Sequence, residues 1–74
     1  MLRIKYERLK RGWSQAALGE LAGFTQPAIS LFEDGRLIPT PDEQDRLGQV
    51  FQITPPSVLF KPVSVRDPEE TTAS

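Results

Sequence analysis

Residues Gln15 to Asp34 constrain the fold most, because their pattern predicts two short helices joined by a tight corner. Ser14 and Thr25 precede the two segments, and their side-chain oxygens can accept hydrogen bonds from the first N–H groups of each helix. Gly19 lies inside the first helix, where glycine costs about 1 kcal/mol relative to alanine, so we expect it to make room for the crossing second helix. Apolar residues recur at helical spacing on either side of Gly23: Leu18, Leu21, Ala22, Ala28, Ile29 and Phe32.

An amphipathic helix is predicted before this unit, and a capped helix after it. In the first, Leu2, Tyr6, Leu9 and Trp13 recur at helical spacing with Arg and Lys between them, which predicts a basic exposed face and an end near Gly12. After the helix stop at Asp34 and Gly35, the sequence TPDE has the composition of a capping box. The helix that follows should run to Phe51, with a core side that consists of Leu47, Val50 and Phe51.

A short fifth helix is predicted after Thr54, which we expect to be its cap, with Pro55 and Pro56 in its first turn. One face of so short a helix is too small to bury three large apolar residues, so we expect some of them to meet a second subunit: Val58, Leu59 and Phe60. The sequence from Pro62 onward has little apolar content and three acidic residues. It predicts a domain over residues 1–61 and a disordered acidic tail over residues 62–74.

The composition excludes several classes of protein. A chain of 74 residues forms one small domain. It has no cysteine and no histidine, which removes disulfide frameworks, the usual zinc sites and Ser–His–Asp or cysteine nucleophile chemistry, so we expect no metal and no cofactor. No apolar run approaches the roughly 18 residues that span a bilayer, and the N-terminus lacks a signal-peptide apolar region. We therefore expect a cytoplasmic protein without a membrane partner.

The charge of the chain is unevenly distributed. The net charge of −1 argues weakly against nucleic acid, because Lys and Arg supply most non-specific affinity for phosphate. Up to Thr40, however, six basic residues face four acidic ones, whereas the later chain has three basic and six acidic residues. This asymmetry fits a first half that faces DNA. The alternative interpretation is a mixed, solvated surface.

The central unit resembles the helix-turn-helix of phage-repressor-like (Xre-type) DNA-binding domains. The resemblance rests on a set of polar, small and apolar positions: Gln15, Leu18, Gly19, Ala22, Gly23, Phe24, Ile29 and Phe32. It extends through RLKRGWSQ, FEDG and PTPDEQDRLGQVFQITPPSVLF, and so covers the chain from Ile4 to Phe60. It implies an all-α, compact five-helix lambda-repressor-like domain with double-stranded DNA as its partner.

The second helix of the unit should enter the major groove with its N-terminal turn. Its candidate base contacts are the cap and the positions outside the apolar stripe: Thr25, Gln26, Pro27, Ser30 and Leu31. The amide of Gln26 can donate and accept together, which suits adenine N6 and N7, although a generic polar residue of a first turn is the alternative. Pro27 and Leu31 can only pack on thymine methyl groups, whereas Ser30 can bond to either type of base.

The expected phosphate contacts surround this helix. The resemblance implies that Gln15 bonds a phosphate and steadies the first base-reading residue, at a helix N-terminus that itself favours anions. Ser14 should cap and also touch the DNA backbone, and Arg36 lies in the loop beyond the reading helix. For Lys10 and Arg11, phosphate contact and simple capping of the first helix are equally good interpretations.

Arg8 and Glu33 match a pair that forms a partly buried salt bridge in repressors of this type. The resemblance implies that this bridge ties the first helix to the end of the reading helix and holds its angle. Leu37, Ile38 and Pro39 depart from the family pattern, since relatives often carry Lys, Arg or free N–H groups in this loop. We therefore expect weak intrinsic affinity for DNA, which dimerisation would offset.

The function implied is a transcriptional regulator, a repressor that acts as a homodimer on a palindromic operator. Phage lysogeny regulators, restriction-modification controllers and antitoxins all use this design. The alternative is a protein–protein interaction module on the same fold, which the acidic balance and the apolar residues Pro27 and Leu31 favour. An enzyme is not expected, because the sequence has no metal cluster and no glycine-rich phosphate loop.

Overall fold

The structure is a computed structural model that describes residues 1–63. Its elements in chain order are α1 (Arg3–Lys10), α2 (Gln15–Ala22), α3 (Gln26–Asp34), α4 (Pro41–Phe51) and the 3₁₀ helix η1 (Pro56–Phe60). The all-α class is as predicted, but the count of five α-helices is not, because residues 1–63 form four α-helices and one short 3₁₀ helix. Of the predicted tail, residues 62–74, the part from residue 64 onward lies outside the described residues.

Local side-chain caps set the starts of three helices. The hydroxyl oxygen of Ser14 accepts a hydrogen bond from the Ala17 N–H at 2.9 Å, and that of Thr25 accepts one from the Ala28 N–H at 3.3 Å. Thr40 and Glu43 form a complete capping box, with bonds of 3.3 Å and 2.9 Å in the two directions. These three predicted caps are therefore confirmed.

Gly19 allows the turn between α2 and α3 to pack directly on α2. Gly23 ends α2 with a φ of +81°, in the left-handed region that favours glycine. The chain then folds back so closely that a Cβ atom on Gly19 would overlap the carbonyl oxygen of Phe24. The close neighbour of Gly19 is therefore the backbone of the turn, rather than the second helix that the sequence suggested.

The core lies between all five elements. Its fully or nearly fully buried apolar members are Ile4, Leu18, Ala22, Ile29, Phe32, Leu47, Phe51 and Leu59. Two of the predicted core positions are wrong, because Leu9 is 50% exposed and Leu21 is 56% exposed. Val50 is only half-buried, although it packs against the core from α4.

The buried face of α1 is partly charged and therefore differs from the apolar face that the sequence predicted. Its buried residues are Ile4, Glu7 and Arg8. The Glu7 carboxylate accepts hydrogen bonds from Arg3 at 3.1 Å and from Arg11 at 2.7 Å. The hydrogen bond from Arg11 is the main cause of a Glu7 pKa below its ordinary value of 4.5, and burial opposes this shift. Buried charges that are paired in this way are tolerated, so a hydrophobic pattern cannot reveal the face.

The last element differs from its prediction in two respects. Thr54 is not its cap: Pro55 precedes the helix and no side chain caps it. Leu59 is fully buried inside the monomer, so it cannot contribute to a subunit interface as proposed from the sequence. After η1 the chain pairs with its own N-terminus through the Leu2–Pro62 bridge, with the Val63 N–H donating to the Met1 carbonyl at 2.9 Å.

Candidate nucleic-acid interface

One side of α3 packs against the core, and the other side of its N-terminal turn is exposed. Ile29 and Phe32 are buried on the core side, and the Phe32 ring meets that of Phe24 edge-on at 5.2 Å between centroids. The predicted base-contact residues lie on its other side. Thr25, Gln26, Pro27 and Leu31 are exposed, and Ser30 is half-buried. The turn is thus available to a large partner without any change in the core.

A hydrogen bond joins the first residues of α2 and α3. The Gln26 side-chain Nε2 donates to Gln15 Oε1 at 2.6 Å. These residues begin their helices, so the bond joins side chains from the two helix N-termini. Each N-terminus carries the positive end of a helix dipole and favours an anion such as a backbone phosphate.

Gln15 also takes part in hydrogen bonds that reach the interior of the molecule. Gln15 Nε2 donates to Glu33 Oε1 at 3.1 Å, and Glu33 in turn accepts two bonds from Arg8, at 2.6 Å and 3.1 Å. Arg8 also donates to the Trp13 carbonyl at 2.7 Å. Arg8 and Glu33 are both buried, and they join α1 to the C-terminal turn of α3. The structure therefore contains the salt bridge that the resemblance implied.

The basic residues predicted to contact phosphate differ in how far they are available. Lys10 and Arg36 are exposed; the Lys10 ammonium lies 5.8 Å from the centroid of the Tyr6 ring. Arg11 is engaged within the molecule, where it donates to the Glu7 carboxylate and to the Phe51 carbonyl at 3.0 Å. Its guanidinium also stacks over the Phe51 ring, 5.0 Å from the centroid. Arg11 Nη1 also donates to the Glu7 carbonyl in the last turn of α1, at 3.1 Å, which favours the capping interpretation of Arg11 over phosphate contact.

Arg46 is a residue of this region that the sequence analysis missed. It donates to the Ala22 carbonyl through Nε and Nη2, at 3.1 Å and 2.9 Å, and to the Gly23 carbonyl at 2.7 Å. Its guanidinium also lies 4.3 Å from the centroid of the Phe24 ring. Arg46 thus closes the C-terminal end of α2 and fixes the turn that leads into α3. No local pattern signals this role, because α4 lies far away in sequence.

The loop after α3 carries an exposed apolar cluster. Leu31, Leu37 and Ile38 are exposed, and Ile38 is the most open at 78%. Leu31 and Leu37 are neighbours, since the Leu37 N–H points to the Leu31 carbonyl at 3.4 Å. Pro39 ends the cluster as a buried residue. These exposed apolar residues favour a protein partner.

Other kinds of site find no support within the described part of the chain. Residues 1–63 contain no group of three or more acidic side chains, histidines or cysteines placed to hold a metal ion. None of the helices in the same range is long and apolar enough to cross a membrane.

Comparison with known proteins adds one finding. A family model described as a helix-turn-helix domain matches residues 2–58, which run from the start of α1 into η1. Neither the curated proteins nor the solved structures contain a match to the chain.

Proposed function

We propose, from the premise that this chain belongs to the helix-turn-helix domain family, that it is a transcriptional regulator that binds double-stranded DNA. The observation that carries the proposal is the exposed N-terminal turn of α3, which is on the side of the helix opposite to the buried Ile29 and Phe32. A helix presented in this way fits the width of the major groove, where each base pair shows a distinct pattern of donors and acceptors.

Gln26 is the proposed direct reader of sequence. It is the first residue of α3, it is exposed, and Gln15 fixes its amide. Its neighbours supply mainly apolar contact: Pro27 and Leu31 would pack on thymine methyl groups, while Ser30 and Thr25 offer hydroxyls. Because Gln26 suits adenine, the proposed half-site is rich in A·T pairs.

The proposed phosphate contacts are the N-termini of α2 and α3, the side chains of Ser14 and Gln15, and the exposed cations Lys10 and Arg36. So few cations predict modest affinity for a single site. A homodimer on a palindromic operator would offset this, with its two reading helices about 34 Å apart. We therefore propose an Xre-type repressor that works as a dimer in the cytoplasm, in the manner of lysogeny regulators, restriction-modification controllers or antitoxins.

The remaining candidates for the dimer contact are Val58 and Phe60. Both are half-buried in the monomer and flank the fully buried Leu59 on η1. A second copy that covered these side chains would remove their remaining apolar surface from water. A two-fold arrangement would place identical patches against each other.

Salt-dependent binding to random duplexes tests the proposed function. Fluorescence anisotropy should give an affinity that falls steeply with salt, by a slope of about 0.9 per phosphate contact on logarithmic axes. Selection from random duplexes should then enrich a two-fold motif. A flat salt dependence together with no enriched motif would contradict DNA binding.

The second candidate function, a protein interaction module, rests on the exposed cluster of Leu31, Leu37 and Ile38. Such a module would give the flat salt dependence. It would also keep its partner in a Gln26→Ala variant, in which Leu31 is unchanged. The same binding experiment therefore separates the two functions.

A further inference from the structure

A continuous chain of hydrogen bonds connects the buried interior to the exposed Gln26. It begins at Arg8, passes through Glu33 and Gln15, and ends at the side-chain amide of Gln26. The Glu33 side chain is almost completely buried, at 1% exposure, whereas Gln26 lies on the open surface. A buried ion pair is thereby linked, side chain by side chain, to the proposed base-reading position.

The direction of every bond in this chain is fixed by chemistry. A guanidinium can only donate and a carboxylate can only accept, so Glu33 accepts from both Arg8 and Gln15. Gln15 must therefore present its Nε2 to Glu33, which leaves its Oε1 facing Gln26. Gln26 must then present its own Nε2 to Gln15. The amide of Gln26 consequently has a single preferred orientation.

This orientation decides what Gln26 offers to a base. One N–H of its Nε2 is used by Gln15, which leaves one N–H on the side near Gln15 and Oε1 on the other side. Adenine needs this pair, an acceptor for its N6 amino group and a donor for its N7. With the two ends of the amide exchanged, a donor would face N6 and an acceptor would face N7.

We propose that Glu33, although it touches no DNA, is a positioning residue that sets the base preference of Gln26 by fixing the direction of this hydrogen-bond chain. The proposal deepens the proposed function and rests on it. It assigns to the buried ion pair a role in specificity that is additional to holding the angle of α3.

Glu33→Gln should release the direction of the chain. Oε1 of Glu33 accepts from Gln15 Nε2 and from Arg8 Nη2, each at 3.1 Å, while Oε2 accepts from Arg8 Nε at 2.6 Å. A glutamine amide has one oxygen and one nitrogen, so in either orientation its nitrogen faces a donor of Arg8 and a bond of the ion pair is lost. Gln15 then no longer meets a group that can only accept, and the orientation of the Gln26 amide is no longer fixed.

The experiment measures base preference with the full chain and the selected operator. Gln26→Ala first identifies the position that Gln26 reads, as the one whose preference disappears. Wild-type protein should favour adenine there by roughly 5- to 150-fold. Replacing this adenine with 7-deazaadenine, which lacks the N7 acceptor, or with purine, which lacks the N6 amino group, should weaken wild-type binding.

Two variants test the role of the chain itself. Gln15→Met removes both polar ends at a half-buried position and should reduce the adenine preference several-fold, because the Gln26 amide is no longer held. Glu33→Gln should reduce the preference in the same direction, and 7-deazaadenine should weaken its binding less than it weakens that of wild type. Circular dichroism establishes that each variant is folded. Gln15→Met keeps the test decisive if Glu33→Gln fails to fold.

Arg36→Gln is the matched control, since it removes an exposed charge and should weaken all duplexes equally. If Gln15→Met and any folded Glu33→Gln behave like this control, with the adenine preference and the 7-deazaadenine effect intact, the proposed role of Glu33 is wrong while DNA binding stands. If wild-type protein binds no duplex, the proposed function is wrong and the role of Glu33 falls with it.

Discussion

Arg46 and Gln26 show how single side chains contribute differently in this small domain. Arg46 bonds only to backbone carbonyls of the turn, Ala22 and Gly23, and stacks on Phe24. Gln26 bonds to one side chain and leaves the rest of its amide to solvent. The first contributes to stability, whereas the second is a candidate for recognition.

Arg46→Met should destabilise the protein by about 1–2 kcal/mol, because the carbonyls that end α2 lose a charged donor. The affinity of the folded protein for DNA should fall as well, since the same turn positions α3. Urea unfolding gives the first quantity and anisotropy the second. Arg46→Lys, which keeps the charge but not the fork of donors, should lie between wild type and Met. An Arg46→Met protein as stable as wild type would contradict this role.

At the scale of elements, two helical glycines allow close approach in different places. A Cβ on Gly19 would overlap the Phe24 carbonyl in the turn before α3. A Cβ on Gly48 would lie 2.8 Å from the Pro56 Cβ, between α4 and η1. Both glycines are buried, so the two positions form a matched pair with different consequences for α3.

Gly19→Ala should lower both stability and DNA affinity, even though alanine favours helices by about 1 kcal/mol. The overlap forces the turn to move, and α3 moves with it. Gly48→Ala should lower stability but leave the affinity of the folded protein unchanged. Chemical denaturation and anisotropy measure the two quantities. Equal effects of the two variants on DNA affinity would show that the turn does not position α3.

Protonation of Glu7 in α1 should lower the stability of the fold at acidic pH. Its folded-state pKa lies below the ordinary value of 4.5, mainly because of the hydrogen bond from Arg11. The carboxylate therefore stabilises the fold above pH 4.5, and this contribution is lost as the pH falls through the lowered folded-state pKa. Glu7→Gln should lose less stability than wild type on acidification, as measured by urea midpoints. Parallel losses in the two proteins would contradict this assignment.

Sequence predicted the local parts of this fold and missed the parts that depend on distant partners. The caps at Ser14, Thr25 and Thr40 act on N–H groups within a few residues, so their signal is contained in the sequence. The buried face of α1 was missed because Glu7 and Arg8 count as polar in any periodicity. Their burial depends on ion pairs, and for Arg8 the partner, Glu33, lies on α3.

The candidate site shows the same difference between local features, which the sequence predicted, and distant contacts, which it did not. The exposure of Gln26 and Pro27 followed from the helical period of α3, and the structure agrees. The sequence left open whether Arg11 caps α1 or contacts phosphate, because its bond to the Phe51 carbonyl joins residues far apart in sequence. Arg46 gave no signal for the same reason.

At the scale of the whole molecule, basic and acidic residues are separated along the chain. The six basic residues before Thr40 belong to the half that carries α2 and α3, while acidic residues dominate the second half. The half-buried Val58 and Phe60 lie in that second half. The basic first half is the one proposed to contact DNA, and Val58 and Phe60 are the proposed dimer contact.

Phe60→Asp should convert the proposed dimer into a monomer, because a charge placed on a covered apolar contact is costly to bury. Sedimentation gives the mass, and operator affinity should fall with it. Lys61→Asp, an exposed neighbour, is the control for added negative charge. If folded Phe60→Asp keeps the mass of the dimer, the dimer interface must lie on another surface.

The pairing of Met1 with Val63 and of Arg3 with Lys61 brings the two ends of the described backbone within a hydrogen bond of each other. A short peptide bridge in place of the residues after Val63 is therefore enough to close the backbone into a ring. Cutting this ring in the exposed stretch from Arg36 to Ile38 would give a circular permutant in which α4 and η1 are synthesised before α1. In that chain order the helix-turn-helix would come last, with every core neighbour unchanged.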